Sequence, residues 1–398
     1  MGRPSARFSV GVIGTGFSAS AHIDALRRVP GVRVAAIAGS DATSAAHAAE
    51  RFDIERAHPH WTGLLADDSI EAVHNCTPNH LHAEIASAAL AAGRHLLSEK
   101  PLAIDSVEGA RLVAAATAAA AAGVASGVCF LSQQHPPLGE LRARLRRGET
   151  GTVHLIRGTY LQDWLLERSD WNWRVDPLAG GPSRAVADIG SHWLDLVQHV
   201  TGDRVAAVLA DVSIVHPVRR GCRAFATDND GFDEVAVSTE DAASVLLRFE
   251  SGVKGALSVS QVSAGYRNRL NIEIDTGSAS YAWHQEQPDE LRIGWRDRAN
   301  EVLVRDPALL SPAAAALAHY PAGHPEGWPD ALRNLFVDFY EAIDYRRKGK
   351  DRPSAVATFA DAHQIIQIVE AIMRSSREER WVELAHTSPP IVAQEVTA

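Results

Sequence analysis

Phe8-Ser9-Val10-Gly11-Val12-Ile13 runs without a break into Gly14-Thr15-Gly16-Phe17-Ser18-Ala19. A continuous apolar run of this length reads as a strand buried on both faces, the habit of parallel sheets. Directly after it stands the G-x-G-x-x-A form of a dinucleotide fingerprint, at the start of a helix. Gly14 permits the tight turn, Gly16 lets backbone N–H groups approach a pyrophosphate, and Ala19 lets the helix pack close to the strand. The helix N-terminus, with Thr15, Phe17 and Ser18 around it, attracts the anion. A glycine-rich turn without a ligand is the plainer use of such a motif. Its place at the head of an alternating strand–helix chain favours the cofactor reading.

Outward from that motif the alternation continues. A helix over Ala19–Val29 stops at Pro30-Gly31, and Val32–Ala38 is a second buried strand. Helix Ala42–Phe52, strand Ala72–Cys76, a helix through Leu90, strand His95–Ser98, helix Ser106–Ala122 and strand Val124–Phe130 follow. This spacing predicts an α/β Rossmann domain over residues 1–128. Beyond it the texture changes. Helices are expected at Pro136–Arg147 and Asp188–Val200, a strand at Thr152–Gln162, and mostly strands with turn signals from Val205 to Val304. Two helices close the chain, Ala331–Arg346 and Thr358–Arg374, before a loose tail of about 15 residues. Residues 129–398 therefore read as an α+β domain on a large, mainly antiparallel sheet.

The composition narrows the function. Of 398 residues, 46% are apolar and 22% charged, the balance of a globular protein, and the net charge is −10. Such a chain has no electrostatic footprint for nucleic acid. Met1 to Arg7 leads straight into the first strand, and the Ala-rich stretch Leu112–Ala125 is too short for a bilayer. Cys76, Cys129 and Cys222 form no CxxC, which fits buried thiols in a reducing cytoplasm.

Four further motifs carry chemistry. After the second strand an acid is expected to hold the adenosine ribose, but the chain reads Gly39-Ser40-Asp41. The small residue and hydroxyl leave room for a 2′-phosphate, yet no arginine stands beside them. NAD and NADP both fit, NAD slightly better, and Asp41 serves more naturally as a helix cap. Thr77-Pro78-Asn79-His80-Leu81-His82 and Ser98-Glu99-Lys100-Pro101 each follow a strand, at the edge where open α/β sheets bind ligands. Only four of the 39 basic residues are lysine, and Lys100 alone sits in an apolar segment, where a compact charge asks for a reason. Asp188 and His192 are spaced i, i+4, so that on a helix they share a face. A neutral imidazole there suits an alcohol proton, and a carboxylate one turn away suits orienting it. A helix cap and a satisfied core histidine are the plainer uses. The spacing also suits a metal pair, but no convincing third ligand accompanies it, and no metal is expected.

Glycine fingerprint, TPNHLH, SEKP and DIGSHWLD, in this order over nearly the whole chain, resemble the Gfo/Idh/MocA oxidoreductase family of glucose–fructose oxidoreductase and inositol dehydrogenase. The resemblance implies a Rossmann domain, a C-terminal open sheet often used in oligomers, and a homodimer or homotetramer. It maps the functional lysine of E-K-P onto Lys100, the D-x-x-x-H pair onto Asp188 and His192, and a cofactor-touching Trp-Arg pair onto Trp173-Arg174. Where relatives carry Arg-aromatic-x-Pro, this chain has Gln133-Gln134-His135-Pro136.

The block from Tyr160 through Arg184 is similar to a sugar-oxidising branch, and aromatic rings such as Trp164 suit the C–H faces of a sugar. The expected activity is NAD(P)-dependent oxidation of a secondary hydroxyl, including C3, of a sugar, glycoside or polyol. His192 would take the proton, Asp188 would orient His192, and Lys100 would hold the reacting oxygen. Gly14, Thr15, Gly16, Phe17, Ser18, Gly39, Ser40, Thr77, Pro78, Asn79, His82, Glu99, Lys100, Trp173 and Arg174 are expected at the cofactor. Lys100, Gln162, Asp163, Trp164, Arg184, Asp188, His192 and His324 are expected at the substrate. Two alternatives stay open: a redox-neutral glycosidase using the same oxidation, and a non-catalytic NAD(P)-binding regulator.

Overall fold

In the computed structural model the described residues are 8–221, 233–350, 352 and 354–384. Cys222, Pro353, residues 1–7 and the tail expected at the C-terminus lie outside them. The first half folds as six parallel strands: β1 (Phe8–Ile13), β2 (Val32–Ala38), β3 (Arg56–His58), β4 (Ala72–Asn75), β5 (His95–Ser98) and β6 (Ser126–Val128). Their order is β3-β2-β1-β4-β5-β6, with the chain reversing direction across the sheet at β1. Register sets Ile13 beside Asn75 and Asn75 beside Ser98. The three motif loops Gly14–Phe17, Thr77–His82 and Glu99–Pro101 thus leave one sheet edge side by side, at the switch point where such sheets take ligands.

The second half is built on nine strands. β7 (Val153–Leu161), β8 (Val205–Ser213), β11 (Ala242–Phe249), β12 (Lys254–Ser260), β13 (Arg269–Thr276), β14 (Ala279–His284), β15 (Glu290–Trp295), β16 (Glu301–Val304) and β17 (Val382–Glu383) share one sheet. A two-stranded ribbon of β9 (Val218–Gly221) and β10 (Asp233–Ala236) stands apart. Among the described residues of this sheet only the β7–β12 pair is parallel, so the sheet is mixed and mostly antiparallel. Strands such as β13 alternate buried and part-exposed residues, as one covered face requires.

Two departures from the sequence-based expectation matter. The helix expected from Asp188 begins earlier, as a π-helical turn over Val186–Gly190, and continues as an α-helix over Ser191–Thr201. The turn is fastened from a distance: Glu240 Oε1 accepts from Ser183 Oγ, Arg184 N and Val186 N. Asp188 is therefore not the cap. The closing helix Trp328–Arg347 packs Leu332, Phe336, Phe339 and Tyr340 against Val10, Val12, Ile23 and Leu26, completing the core of the first half. Among the described residues no helix is long and apolar enough to cross a membrane.

Candidate active site

The turn after β1 has the shape that its sequence asks for. Gly14 has φ +112°, and a Cβ there would lie 2.6 Å from the Cys76 carbonyl oxygen. Gly16, the N-cap of helix Phe17–Arg27, receives no side-chain hydrogen bond, and nothing lies within 4 Å of where its Cβ would be. Free helix N–H groups facing open space fit a pyrophosphate. Phe17 is 77% exposed, and its ring lies 6.0 Å from that of Trp328.

After β2 the chain closes tightly. A Cβ on Gly39 would meet Ser44 Oγ at 2.4 Å and Ala45 N at 2.6 Å. Asp41 caps helix Ala42–Arg51, accepting from Ser44 N at 2.8 Å. Ser40 Oγ donates to Asp41 at 3.0 Å and is exposed. No carboxylate stands at Gly39, and no side chain fits there without moving the helix.

The loop after β4 joins the two halves. Thr77 Oγ1 donates to Asn75 at 2.8 Å, and buried Asn79 donates to the Gly180 carbonyl at 2.8 Å. His82, also buried, sits between the carbonyls of Pro101 (2.6 Å) and Thr77 (2.8 Å). Pro78 leads into the short 3-10 turn Asn79–Leu81. Asn79 and His82 thus spend their hydrogen-bonding groups on protein at this edge.

The loop after β5 brings Lys100, followed by a cis peptide to Pro101, to the seam. Its Nζ donates to Asp188 Oδ1 at 2.7 Å and to the Asp188 carbonyl at 2.9 Å. Both side chains are nearly buried, 12% and 15% exposed. Asp188 also accepts from Arg174 Nε at 3.2 Å and Gln261 Nε2 at 2.9 Å. Burial alone would raise the Asp188 carboxyl, but the Lys100 and Arg174 charges hold it well below the usual carboxylate range. Trp173 stacks under Arg174, whose guanidinium carbon is 4.4 Å from the ring centre.

His192 stands between Phe130 (ring centres 5.7 Å) and Tyr160 (6.2 Å). Its buried Nδ1 has no hydrogen-bond partner. Burial first, and then the Lys100 ammonium, pushes the imidazole down to about 3, so it is neutral near pH 7. Asp188, expected to orient His192, makes no hydrogen bond to it. In the π turn the carboxylate is taken by Lys100, Arg174 and Gln261 instead.

The expected substrate contacts fare unevenly. Arg184 does not line the site: its side chain is fully buried, bonded to Thr239, Asp241 and, at 3.1 Å, Gln261 Oε1. It is linked to Asp188 through Gln261, which donates to that carboxylate. Gln162 donates to Asn268 at 2.9 Å and accepts from Trp164 Nε1 at 2.7 Å, while Tyr160 donates to the same Asn268 at 2.7 Å. Asp163 is paired with exposed Arg267. His324 is exposed in the loop before helix Trp328–Arg347, its carbonyl held by buried Arg305.

Sequence reasoning missed Gln261, Asn268, Glu240 and the partners of Glu99. Glu99 Oε1 accepts from His22 Nε2 at 3.0 Å, and Oε2 accepts from Lys100 N at 3.1 Å. Burial works to raise this carboxyl, but the His22 hydrogen bond leads the opposing effects and holds it at about 2.

Comparison with known proteins agrees with this architecture. Residues 8–127 match the model of the oxidoreductase family's NAD-binding Rossmann fold, and residues 139–280 match the GFO/IDH/MocA C-terminal domain. Levoglucosan dehydrogenase of Pseudarthrobacter phenanthrenivorans is 30% identical over 96% of this chain and 99% of its own. A solved levoglucosan dehydrogenase, in complex with NADH and levoglucosan, superposes with TM-score 0.84 at 29% identity, over 95% of this chain and all of its own. An oxidoreductase domain protein from Kribbella flavida gives TM-score 0.86 at 31% identity, over 96% of this chain and all of its own. The chain belongs to the Gfo/Idh/MocA family and is an NAD(P)-dependent oxidoreductase with an NAD-binding Rossmann domain.

Proposed function

We propose that this enzyme oxidises a secondary hydroxyl of a sugar, anhydrosugar or polyol, with Lys100, Asp188 and His192 as its working site. The observation that carries the reading is the Lys100–Asp188 pair at 2.7 Å across the seam, with His192 one turn along from Asp188 and its buried Nδ1 unpartnered. The pyrophosphate belongs on the Gly14–Ser18 turn, with Arg174 and the Thr77–Asn79 loop along the same edge. Bound NAD(P)+ supplies the hydride acceptor. His192, neutral and with an unpartnered ring nitrogen, accepts the hydroxyl proton. Lys100 steadies the oxygen as alkoxide charge develops. Asp188 aims the lysine, and Gln261 aims Asp188. Oxidation at the sugar C3 hydroxyl is the finer part of this proposal. Levoglucosan, the ligand named for the solved relative, is the first substrate to try.

The test is a panel of anhydrosugars, sugars, polyols and glycosides with NAD and with NADP, followed at the reduced-nicotinamide absorbance. Reduced cofactor formed with a sugar or polyol, and lost in Lys100→Ala and His192→Ala, is the expected result. Aglycone release without net reduced cofactor assigns the glycosidase chemistry. Tight cofactor binding with no turnover anywhere on the panel sinks the reading.

A further inference from the structure

Behind the site a chain of buried polar groups crosses the first half, and the proposed chemistry above uses none of it. Tyr340 OH is 2.8 Å from His74 Nε2, His74 Nδ1 is 2.9 Å from His22 Nδ1, and His22 Nε2 is 3.0 Å from Glu99 Oε1. Tyr340, His74 and His22 are each at most 3% exposed. They come from three separate elements: helix Trp328–Arg347, β4 and helix Phe17–Arg27.

The direction of every link is set from one end. Tyr340 OH has no other hydrogen-bond partner among the described residues, so its proton goes to His74 Nε2. Burial pushes His74 well down, so it is neutral and carries its single proton on Nδ1. His22 Nδ1 must then accept. His22 therefore presents Nε2–H to Glu99. No link lacks a donor or an acceptor, and all hydrogens point toward the carboxylate. The reverse order needs one more proton in the chain, on Glu99 or on the His22 ring, and leaves Tyr340 O–H without an acceptor, a cost for a buried donor.

We propose that Tyr340, His74 and His22 are positioning residues: a one-way hydrogen-bond relay that keeps Glu99 ionised beside Lys100 and His192. The ionised carboxylate matters when His192 takes up the substrate proton, because a fixed negative charge nearby favours the imidazolium. The other groups facing Glu99 cannot replace the relay. Cys76 and Cys129 are buried thiols pushed up by burial, so they stay neutral, and Cys129, whose Sγ lies within 4.8 Å of the Glu99 and His22 ligating atoms, offers Glu99 only a weak S–H donor. His82 lies between two carbonyls and spends its one N–H on them, and the Lys100 ammonium is committed to Asp188. Without His22 the carboxyl keeps only the Lys100 backbone N–H and the nearby charges against burial, which then drives it up; buried glutamates elsewhere titrate near neutrality.

Tyr340→Phe removes one oxygen from a packed ring and makes the forward and reverse orders equal in bonds. His22→Leu removes the donor to Glu99 outright, and His22→Gln restores an N–H donor. The proposal rests on the reading of His192 as the base, so the first readout is independent of turnover. Infrared spectra of the protein without substrate, between about pH 5 and pH 8, report the protonated-carboxyl stretch, with Glu99→Gln assigning the band. Wild type is expected to show no such band, and His22→Leu and Tyr340→Phe to gain one as pH falls. In turnover, the same two variants should gain an acid limb in kcat, losing about fivefold or more on going from pH 8 to pH 5.5, and His22→Gln should remove it. Loss by one constant factor at every pH, with no carboxyl band in either variant, overturns the relay. A band that appears without any acid limb keeps the relay and overturns His192 as the base it serves.

Discussion

Two glycines two residues apart separate folding from binding. Gly14 sits at positive φ with a backbone carbonyl where its Cβ would go, so Gly14→Ala strains the turn itself and should lower the melting temperature. Gly16 has φ −84° and open space. Gly16→Ala should leave the melting temperature of the unliganded protein within the change typical of a surface substitution, about 0.5 kcal/mol. Its methyl group takes the space meant for pyrophosphate, and NADH should bind about tenfold more weakly in a titration of nicotinamide fluorescence. Equal affinity for both proteins would remove the cofactor from this turn. Lys100 and His192 make a second pair. His192→Ala should cost about 10²–10⁴ in kcat with little change in cofactor affinity. Lys100→Arg keeps the charge but should not rescue, since a forked guanidinium does not match a point-charge site. Single-turnover absorbance measures both.

At the scale of elements, the turn that carries Asp188 depends on a carboxylate far along the chain. Glu240 gathers Ser183, Arg184 and Val186 on one oxygen. Glu240→Ala strips three donors of their acceptor at once and should cost about 1–3 kcal/mol in denaturant unfolding, with kcat falling as Asp188 loosens. Glu240→Gln keeps an acceptor oxygen and should retain most of both; equal losses in the two variants would argue that charge rather than acceptance matters. This element also shows what a sequence can carry. The G-x-G-x-x-A turn was legible because the chemistry is local: strand, glycines and helix are contiguous. Lys100 was legible because lysine is scarce. The i, i+4 spacing of Asp188 and His192 was legible, but its consequence was not. Helical periodicity cannot foresee a π turn, nor that Lys100, Arg174 and Gln261 reach the carboxylate first. Arg184 looked like a substrate contact because buried and site-lining arginines read alike in sequence; its partners Thr239 and Asp241 lie more than 50 residues on.

Several histidines of this molecule are held neutral by burial, and that sets its response to acid. His74, His82, His95, His135, His192 and His199 are all pushed down, chiefly by burial, His95 and His135 to about 4 and His192 to about 3. Each is neutral in both folded and unfolded chains above its ordinary value of 6.5. Below that, the unfolded chain takes the proton first, so stability drains away as pH falls from 6.5 toward the folded values. One such group contributes a slope of about 1.4 kcal/mol per pH unit at most. Glu99, held at about 2, adds loss in the same direction, but only below its ordinary 4.5. Two depressed families in succession predict a two-stage decline. Sequence could count the histidines but not bury them, because the closing helix Trp328–Arg347 that covers His22 and His74 folds back from the far end of the chain. The melting temperature should therefore be level from about pH 8 to pH 7 and fall steeply between about pH 6.5 and pH 4.5, before most carboxylates titrate. Replacing His135, which packs on Trp283 away from Lys100 and Asp188, with Gln should make the first stage shallower by one group's share without touching the second. A melting temperature that stays level to pH 5 in the parent protein would mean these imidazoles are not held neutral, and with them would go the neutral base assigned to His192.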